Sequence, residues 1–200
     1  MAEQPAIGLI CAIPQELAEL RAALDHDRRH EVGGFAFDQG RLDGRPVILA
    51  EAGIGKVNTA TVATILALRF DAGVLVFKGV AGGLDPDLAI GDVVVADRAI
   101  QHDCGVIENE ILQPYHAGHV PFFNPTSQLG YDVEPALLAR VRARLEGGDL
   151  IPLSPRAGGE GRAPKLVYGA ILAGDQFINC EATRERLHRE LRGRAVAMEG

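Results

Sequence analysis

Short apolar runs alternate with helical patterns along this chain, and this alternation limits the possible folds more than any other feature. Five runs have the length and composition of buried strands: Gly8–Ile13, Val74–Phe77, Asp92–Ala96, Leu166–Leu172 and Ala195–Met198. Strands that are apolar on both faces are typical of a parallel sheet covered by helices. We therefore expect an α/β fold with three layers, α/β/α, around a central mixed, largely parallel twisted sheet.

The segments between these runs supply the other elements of such a fold. Helical periodicity predicts four helices, at Pro14–Leu24, Val57–Phe70, Glu134–Leu145 and Cys180–Leu191. Asp43-Gly44 predicts a hairpin between two further strands, Phe35–Gly40 and Pro46–Glu51. The pattern is lost over residues 101–131, and residues 147–164 are rich in Gly and Pro, so both regions are predicted to be loops.

The chain length favours a single domain, because 200 residues suffice for one sizeable core. Glu199-Gly200 follows the last predicted strand directly. A parallel strand needs a helix to cover it. We therefore expect one domain over residues 1–200, with a C-terminal strand and helix missing.

Composition excludes several classes of protein. The formal net charge is −7, and the arginines near position 190 alternate with glutamates, which argues against nucleic-acid binding. No apolar run approaches the roughly 20 residues of a membrane helix, and the N-terminus lacks the features of a signal peptide. The three cysteines are widely spaced, and no His, Cys, Asp or Glu cluster has metal-ligand spacing. We expect a cytoplasmic protein without a metal or a membrane anchor.

Gly53-Ile54-Gly55-Lys56 resembles part of a phosphate-binding loop but fails two of its requirements. Ala50 stands where that motif needs a glycine, and Val57 stands where it needs Ser or Thr. A tight turn from a strand into a helix is the better interpretation.

Candidate binding residues follow the predicted strands, at the sheet edge where open α/β folds bind ligands. Gly79–Gly83 would let a flat ring approach the backbone closely, although any tight turn could use these residues. Glu16 is either a surface residue that stabilises a helix terminus or a functional carboxylate. Phe177 is either a core residue or an aromatic that stacks on a base. Glu199 follows an apolar strand, where a charge needs a partner or a role.

Seven segments together resemble the 5′-methylthioadenosine/S-adenosylhomocysteine nucleosidases of the nucleoside phosphorylase superfamily, in order and with similar spacing. They are Ala12–Glu16, Gly53–Val57, Gly79–Leu84, Gly91–Val94, His102-Asp103, Gly174–Ile178 and Met198–Gly200. The resemblance covers nearly the whole chain.

The resemblance implies hydrolysis of the bond between adenine and ribose, with water and no cofactor, as in methionine salvage. It implies that Glu16 activates water and that the turn containing Val80, Ala81 and Gly82 contacts the substrate. By the same resemblance, Phe177 stacks on adenine and the Ile178 backbone reads its edge. Met198 and Glu199 would hold the ribose, with Glu199 on its hydroxyls. The family also implies a homodimer and a proton-donating aspartate beyond residue 200.

Two alternative functions remain open at this point. A phosphorylase of the same superfamily would use phosphate instead of water, and Lys78 before the glycine turn is a cation that could attract phosphate. Glu16 and the lack of an arginine in the first strand–helix turn favour hydrolysis. The other alternative is a nucleoside-binding chain without catalysis.

Overall fold

The computed structural model describes residues 5–148, 150–159 and 161–199. Contacts divide the chain into two compact units. The first unit contains the described residues up to Val80 together with Glu199, and the second contains those from Ala81 to Met198. The single domain expected over residues 1–200 stays a prediction.

The first unit is built on a mixed five-stranded sheet. Its elements are β1 (Ile7–Cys11), α1 (Pro14–Ala23), β2 (Asp25–Val32), β3 (Phe35–Leu42), β4 (Arg45–Glu51), α2 (Lys56–Arg69) and β5 (Val74–Phe77). The strand order is β2-β3-β4-β1-β5. β1 runs parallel to both β4 and β5, whereas β2, β3 and β4 form an antiparallel meander.

Helices cover both faces of this sheet. Successive residues of a strand point to opposite sides, so neighbouring residues of β1 pack against different helices. On one face, Cys11 of β1 and Leu49 of β4 pack with Leu17 of α1. On the other, Ile10 packs with Val62 and Leu66 of α2. The first unit therefore has the expected three layers.

A glycine in β1 permits the close approach of α2. A Cβ on Gly8 would lie 2.7 Å from Cδ2 of Leu75 and 3.1 Å from Cδ1 of Leu66. A larger residue at this position would crowd the side chains of Leu75 in β5 and Leu66 in α2, and both would have to shift.

The second unit contains another mixed five-stranded sheet. Its elements are β6 (Gly82–Gly83), β7 (Val93–Gln101), β8 (Gly105–Glu108), β9 (Ile111–Pro114), β10 (Tyr131–Asp132), α3 (Pro135–Leu145), a 3-10 turn (Pro155–Ala157), β11 (Leu166–Ala173), α4 (Glu181–Leu191) and β12 (Gly193–Ala197). The order is β10-β7-β11-β12-β6. The three central strands are parallel, and β10 and β6 join antiparallel at the two edges.

The three parallel strands end side by side. Ala173, the last residue of β11, pairs with Gln101 of β7 and with Ala197 of β12. The backbone hydrogen bonds continue for one more residue, since His102 N–H donates to the Ala173 carbonyl at 2.9 Å and Gly174 N–H donates to the Ala197 carbonyl at 3.2 Å. The segments after β7, β11 and β12 therefore leave the sheet at one edge.

The mixed α/β class predicted from the sequence is confirmed, and so are the four helices to within one residue at each end. Strand β2 was not predicted from the sequence, because its residues are almost all polar and exposed. The prediction of a loop throughout residues 101–131 was wrong, because β8 and β9 pair as a hairpin there. Among the described residues of 147–164, the Pro155–Ala157 turn is the one regular element.

Candidate active site

Glu16 is buried at the start of α1, with 9% of its surface exposed. It is the third residue of the helix, and its Oε2 accepts hydrogen bonds from the backbone N–H of Ala12 at 3.0 Å and of Ile13 at 3.4 Å. These N–H groups belong to the turn between β1 and α1, where a helix leaves such donors without a partner. The interpretation of Glu16 as a surface residue was therefore wrong.

The segment after β5 makes further contacts with Glu16. The backbone N–H of Val80 donates to Oε1 of Glu16 at 2.7 Å. Nζ of Lys78 donates to the main-chain carbonyl of Glu16, also at 2.7 Å. Between them, a Cβ on Gly79 would lie 2.9 Å from Oε1 of Glu16, so this position has no room for a side chain. Glu16 is thus fixed both by its own helix turn and by the end of β5.

Glu199 is the second buried carboxylate among the predicted site residues, with 8% of its surface exposed. Burial of a carboxylate is costly unless hydrogen bonds or a ligand compensate for it. The position of Glu199 after an apolar strand predicts such a partner or role from the sequence.

In the second unit, Phe177 lies in the segment between β11 and α4. Its side chain is 83% exposed, so the interpretation of Phe177 as a core residue was wrong. Ile178, the next residue, is half-buried and packs against the core cluster that contains Leu172 and Leu187. Ile178 therefore anchors the segment between β11 and α4 to the core, and the aromatic ring of Phe177 is left accessible on its surface.

The other predicted residues of the second unit are near the neighbouring strand β12. Met198 directly follows β12 and is half-buried. Ala81 and Gly82 are exposed, and Gly82 pairs with Val196 of β12. Because β11 and β12 end in register, Met198 and the segment that carries Phe177 leave the same edge of this sheet.

His102-Asp103 follows β7 at this same edge and fixes the segment after β11. Oδ2 of Asp103 accepts a hydrogen bond from the backbone N–H of Asp175 at 2.7 Å. A Cβ on Gly174 would lie 2.4 Å from Nε2 of His102 and 3.0 Å from Cγ of Asp103, so only glycine fits there. This role of the pair could not be predicted from the sequence, because it depends on the register of β7 with β11.

The structure thus brings Glu16 and Val80 into direct contact in the first unit, and it places Met198, Phe177 and Ile178 at one sheet edge in the second. Sequence reasoning missed the contacts of Lys78, Gly79 and Asp103. The glycine turn after β5 was a signal that a group approaches the backbone closely, but the approaching group is Glu16 itself.

Within the described part of the chain, no group of three or more His, Cys, Asp or Glu side chains could hold a metal ion. No helix there is long and apolar enough to cross a membrane. The three cysteines are all free thiols.

The fold and the site define the class of protein. The family model described as the phosphorylase superfamily matches residues 6–200. A nucleosidase from Streptococcus pyogenes, in complex with 5-methylthiotubericidin, has a TM-score of 0.78 and 31% identity, covering all of this chain and 75% of its own. A Streptococcus pneumoniae nucleosidase with a transition-state inhibitor has a TM-score of 0.75 and 30% identity, covering 98% of this chain and 76% of its own.

A similar sequence narrows the assignment within the superfamily. The 5′-methylthioadenosine/S-adenosylhomocysteine nucleosidase of Mycobacterium bovis is 57% identical over 194 residues, which is 97% of this chain and 76% of that protein. The chain belongs to the 5′-methylthioadenosine/S-adenosylhomocysteine nucleosidase family.

Proposed function

We propose that this protein hydrolyses the N-glycosidic bond of an adenine nucleoside such as 5′-methylthioadenosine or S-adenosylhomocysteine, releasing adenine and the thioribose. The reaction uses water and needs no cofactor. Family membership supports the reaction class. The observation that carries the mechanism is the buried carboxylate of Glu16 with its three backbone donors.

The hydrogen bonds of Glu16 single out one oxygen as the base. A carboxylate offers about four lone-pair sites, two on each oxygen. Among the described residues, Ala12 and Ile13 take both sites on Oε2, and Val80 takes one on Oε1. The second site on Oε1 is then the place for a water molecule. We assign the water-activating role to this atom.

The chemistry suits a carboxylate in a fixed position. As the bond between C1′ and the adenine nitrogen breaks, its electrons pass to the purine and positive charge builds on the ribose. Water attacks C1′ and gives a proton to Oε1 of Glu16. The departing purine takes up one proton, so that neutral adenine is released, and Glu16 returns its own proton to solvent. A preorganised anion stabilises the positive charge and needs little reorganisation during the step.

The remaining residues are assigned to recognition of the nucleoside. Phe177 stacks on adenine, which its high exposure allows, and the backbone of Ile178 reads the base edge. Met198 packs against the ribose, and Glu199 accepts hydrogen bonds from its hydroxyls. Val80, Ala81 and Gly82, in the turn after β5, contact the substrate through their backbone. Ala81 and Gly82 are small enough to allow this approach.

Free adenine released from 5′-methylthioadenosine tests this function, measured by chromatography with and without phosphate. We expect equal release in both buffers. Release that requires phosphate would establish a phosphorylase, and binding without release would establish a nucleoside-binding chain. Either result would overturn the proposal.

A matched pair of variants tests the role of Glu16. Glu16→Gln should lower the turnover rate by about 10²–10⁴-fold, the usual contribution of a general base, while nucleoside binding persists. Glu19→Gln makes the same chemical change at an exposed position of α1 and should leave turnover unchanged. An unaltered rate in Glu16→Gln would exclude Glu16 as the base.

Methionine salvage and a homodimer are further predictions that rest on the family resemblance, and a cytoplasmic location is a prediction that rests on the composition of the sequence. Sedimentation equilibrium of the purified protein distinguishes a dimer from a monomer. A monomer that is fully active would contradict the predicted assembly.

A further inference from the structure

The side chain of Lys78 contacts the main chain of Glu16. Its Nζ lies 2.7 Å from the main-chain oxygen of Glu16, across 62 positions of sequence. Its backbone N–H donates to the carbonyl of Ile10 at 2.9 Å, which extends the pairing of β5 with β1 by one residue. The backbone of Lys78 and the ammonium group of its side chain are therefore both held by hydrogen bonds.

We propose that Lys78 is a positioning residue that holds the water-activating carboxylate of Glu16 in a fixed position relative to the end of β5. This inference rests on the proposed function of Glu16. The ammonium of Lys78 fixes the backbone of Glu16, and the N–H of Val80 fixes its carboxylate. Two contacts at opposite ends of one residue define its orientation better than either contact alone.

The tight packing of Gly79 makes this orientation sensitive to small displacements. Gly79 stands between Lys78 and Val80 in the chain, and a Cβ at this position would lie only 2.9 Å from Oε1 of Glu16. If α1 shifts relative to residues 78–80, the bond from Val80 to Oε1 is lost. Oε2 keeps its bonds to Ala12 and Ile13, because those donors belong to the same turn as Glu16. Removal of Lys78 should therefore misplace the base without unfolding α1.

The charges of Lys78 and Glu16 also act together on a neighbouring buried group, the thiol of Cys11. Burial raises the pKa of the Cys11 thiol, the positive charge of Lys78 opposes this rise, and the negative charge of Glu16 adds to it. Opposite charges on Lys78 and Glu16 thus act on the same buried sulfur, which agrees with the geometry of the contact.

This assignment replaces the phosphate-attracting role considered for Lys78 from the sequence. A lysine that attracts phosphate would make activity depend on that anion. A lysine that positions Glu16 affects hydrolysis equally in the presence and absence of phosphate.

Exchange of the Val80 amide hydrogen, followed by NMR, tests the proposal independently of activity. Loss of the hydrogen bond to Glu16 should accelerate exchange about tenfold in Lys78→Met. Glu16→Ala, which removes the acceptor, serves as a positive control. Arg69→Met also removes one positive charge from the first unit, but at the exposed end of α2, and should leave Val80 unchanged. Unchanged exchange in Lys78→Met would overturn the positioning role, whatever the protein hydrolyses.

Steady-state kinetics supply the second readout. Lys78→Met should lower kcat about 10-fold to 100-fold with KM within about twofold, because a small misplacement of a base affects the chemical step. Lys78→Arg, which keeps a cationic donor, should recover part of kcat. A raised KM with unchanged kcat would mean that Lys78 contacts the substrate and would contradict the proposal. Absence of adenine release from the unaltered protein would refute the proposed function, and the exchange experiment would still decide the role of Lys78.

Discussion

The backbone N–H of Val80 donates to Oε1 of Glu16 at 2.7 Å, although the two residues are 64 positions apart in sequence. This bond joins the turn after β5 to the first turn of α1. It exists because β1 and β5 are parallel neighbours, so that the chain segments after both strands leave the sheet at one edge. The sheet topology of the first unit therefore creates the environment of the candidate base.

Gly79→Ala tests the space beside Glu16. The new Cβ would lie 2.9 Å from Oε1 of Glu16 and 3.1 Å from Cε1 of Phe77, so the carboxylate must move. We expect kcat for adenine release to fall about 100-fold, since displacements near 1 Å have effects of this size. Gly83→Ala is the steric control for folding, because no atom lies within 4 Å of its Cβ. Normal kcat in Gly79→Ala would mean that the position of Oε1 is unimportant.

Glu199→Gln tests recognition of the ribose hydroxyls. Hydrogen bonds to a charged group contribute about 1.5–3 kcal/mol, so kcat/KM for the ribonucleoside should fall roughly 10-fold to 150-fold. The 2′-deoxynucleoside lacks one of the hydroxyls, so its kcat/KM should fall by a smaller factor. Glu185→Gln, at an exposed position of α4, is the control. If both substrates lose activity equally, Glu199 does not read the hydroxyl that distinguishes them.

Asp103→Ala tests whether the end of β7 positions the segment that carries Phe177. The substitution removes the acceptor for the Asp175 N–H, whereas the packing of Ile178 remains. We expect KM for 5′-methylthioadenosine to rise about tenfold, with a smaller change in kcat, because an ordered stacking segment binds with less entropic cost. Asp27→Ala, on the exposed strand β2, should leave KM unaltered. A fall in kcat alone would contradict this role for Asp103.

Asp92 anchors the segment before β7 to the one before β11. The guanidinium of Arg162, 2.8 Å from Oδ1, holds the pKa of the Asp92 carboxyl well below its usual range, against the opposing effect of burial. The backbone N–H groups of Ala89 and Lys165 also donate to this carboxylate. Asp92→Asn should lower the free energy of unfolding by about 1–3 kcal/mol at pH 7, measured by urea denaturation.

The contribution of Asp92 has a defined pH dependence. Because its pKa is lower in the folded protein than in the unfolded chain, the stabilisation is complete above the unfolded value of about 3.9 and is lost as the pH falls below it. The difference between the unaltered protein and Asp92→Asn should therefore shrink below about pH 4. Asp87→Asn, at a nearby exposed position, supplies the control. A difference that is constant down to pH 3 would contradict the assigned linkage.

Local patterns predicted the elements whose formation depends on neighbouring residues in sequence. Pro14 and the spacing of Leu17, Leu20 and Leu24 were enough to predict α1, and Asp43-Gly44 was enough to predict the β3–β4 hairpin. The polar strand β2 has no such pattern, because its stability comes from pairing with β3 rather than from its own apolar residues.

The sequence by itself determined the α/β class, the family and the identity of the candidate residues, because apolar periodicity and short motifs are encoded locally. Tertiary structure decided that Glu16 is buried, that Phe177 is exposed, and that Lys78 and Val80 contact Glu16. These properties depend on which strands are neighbours and in which register they pair. Such contacts join residues about 60 or more positions apart, and no local pattern in a single sequence specifies them.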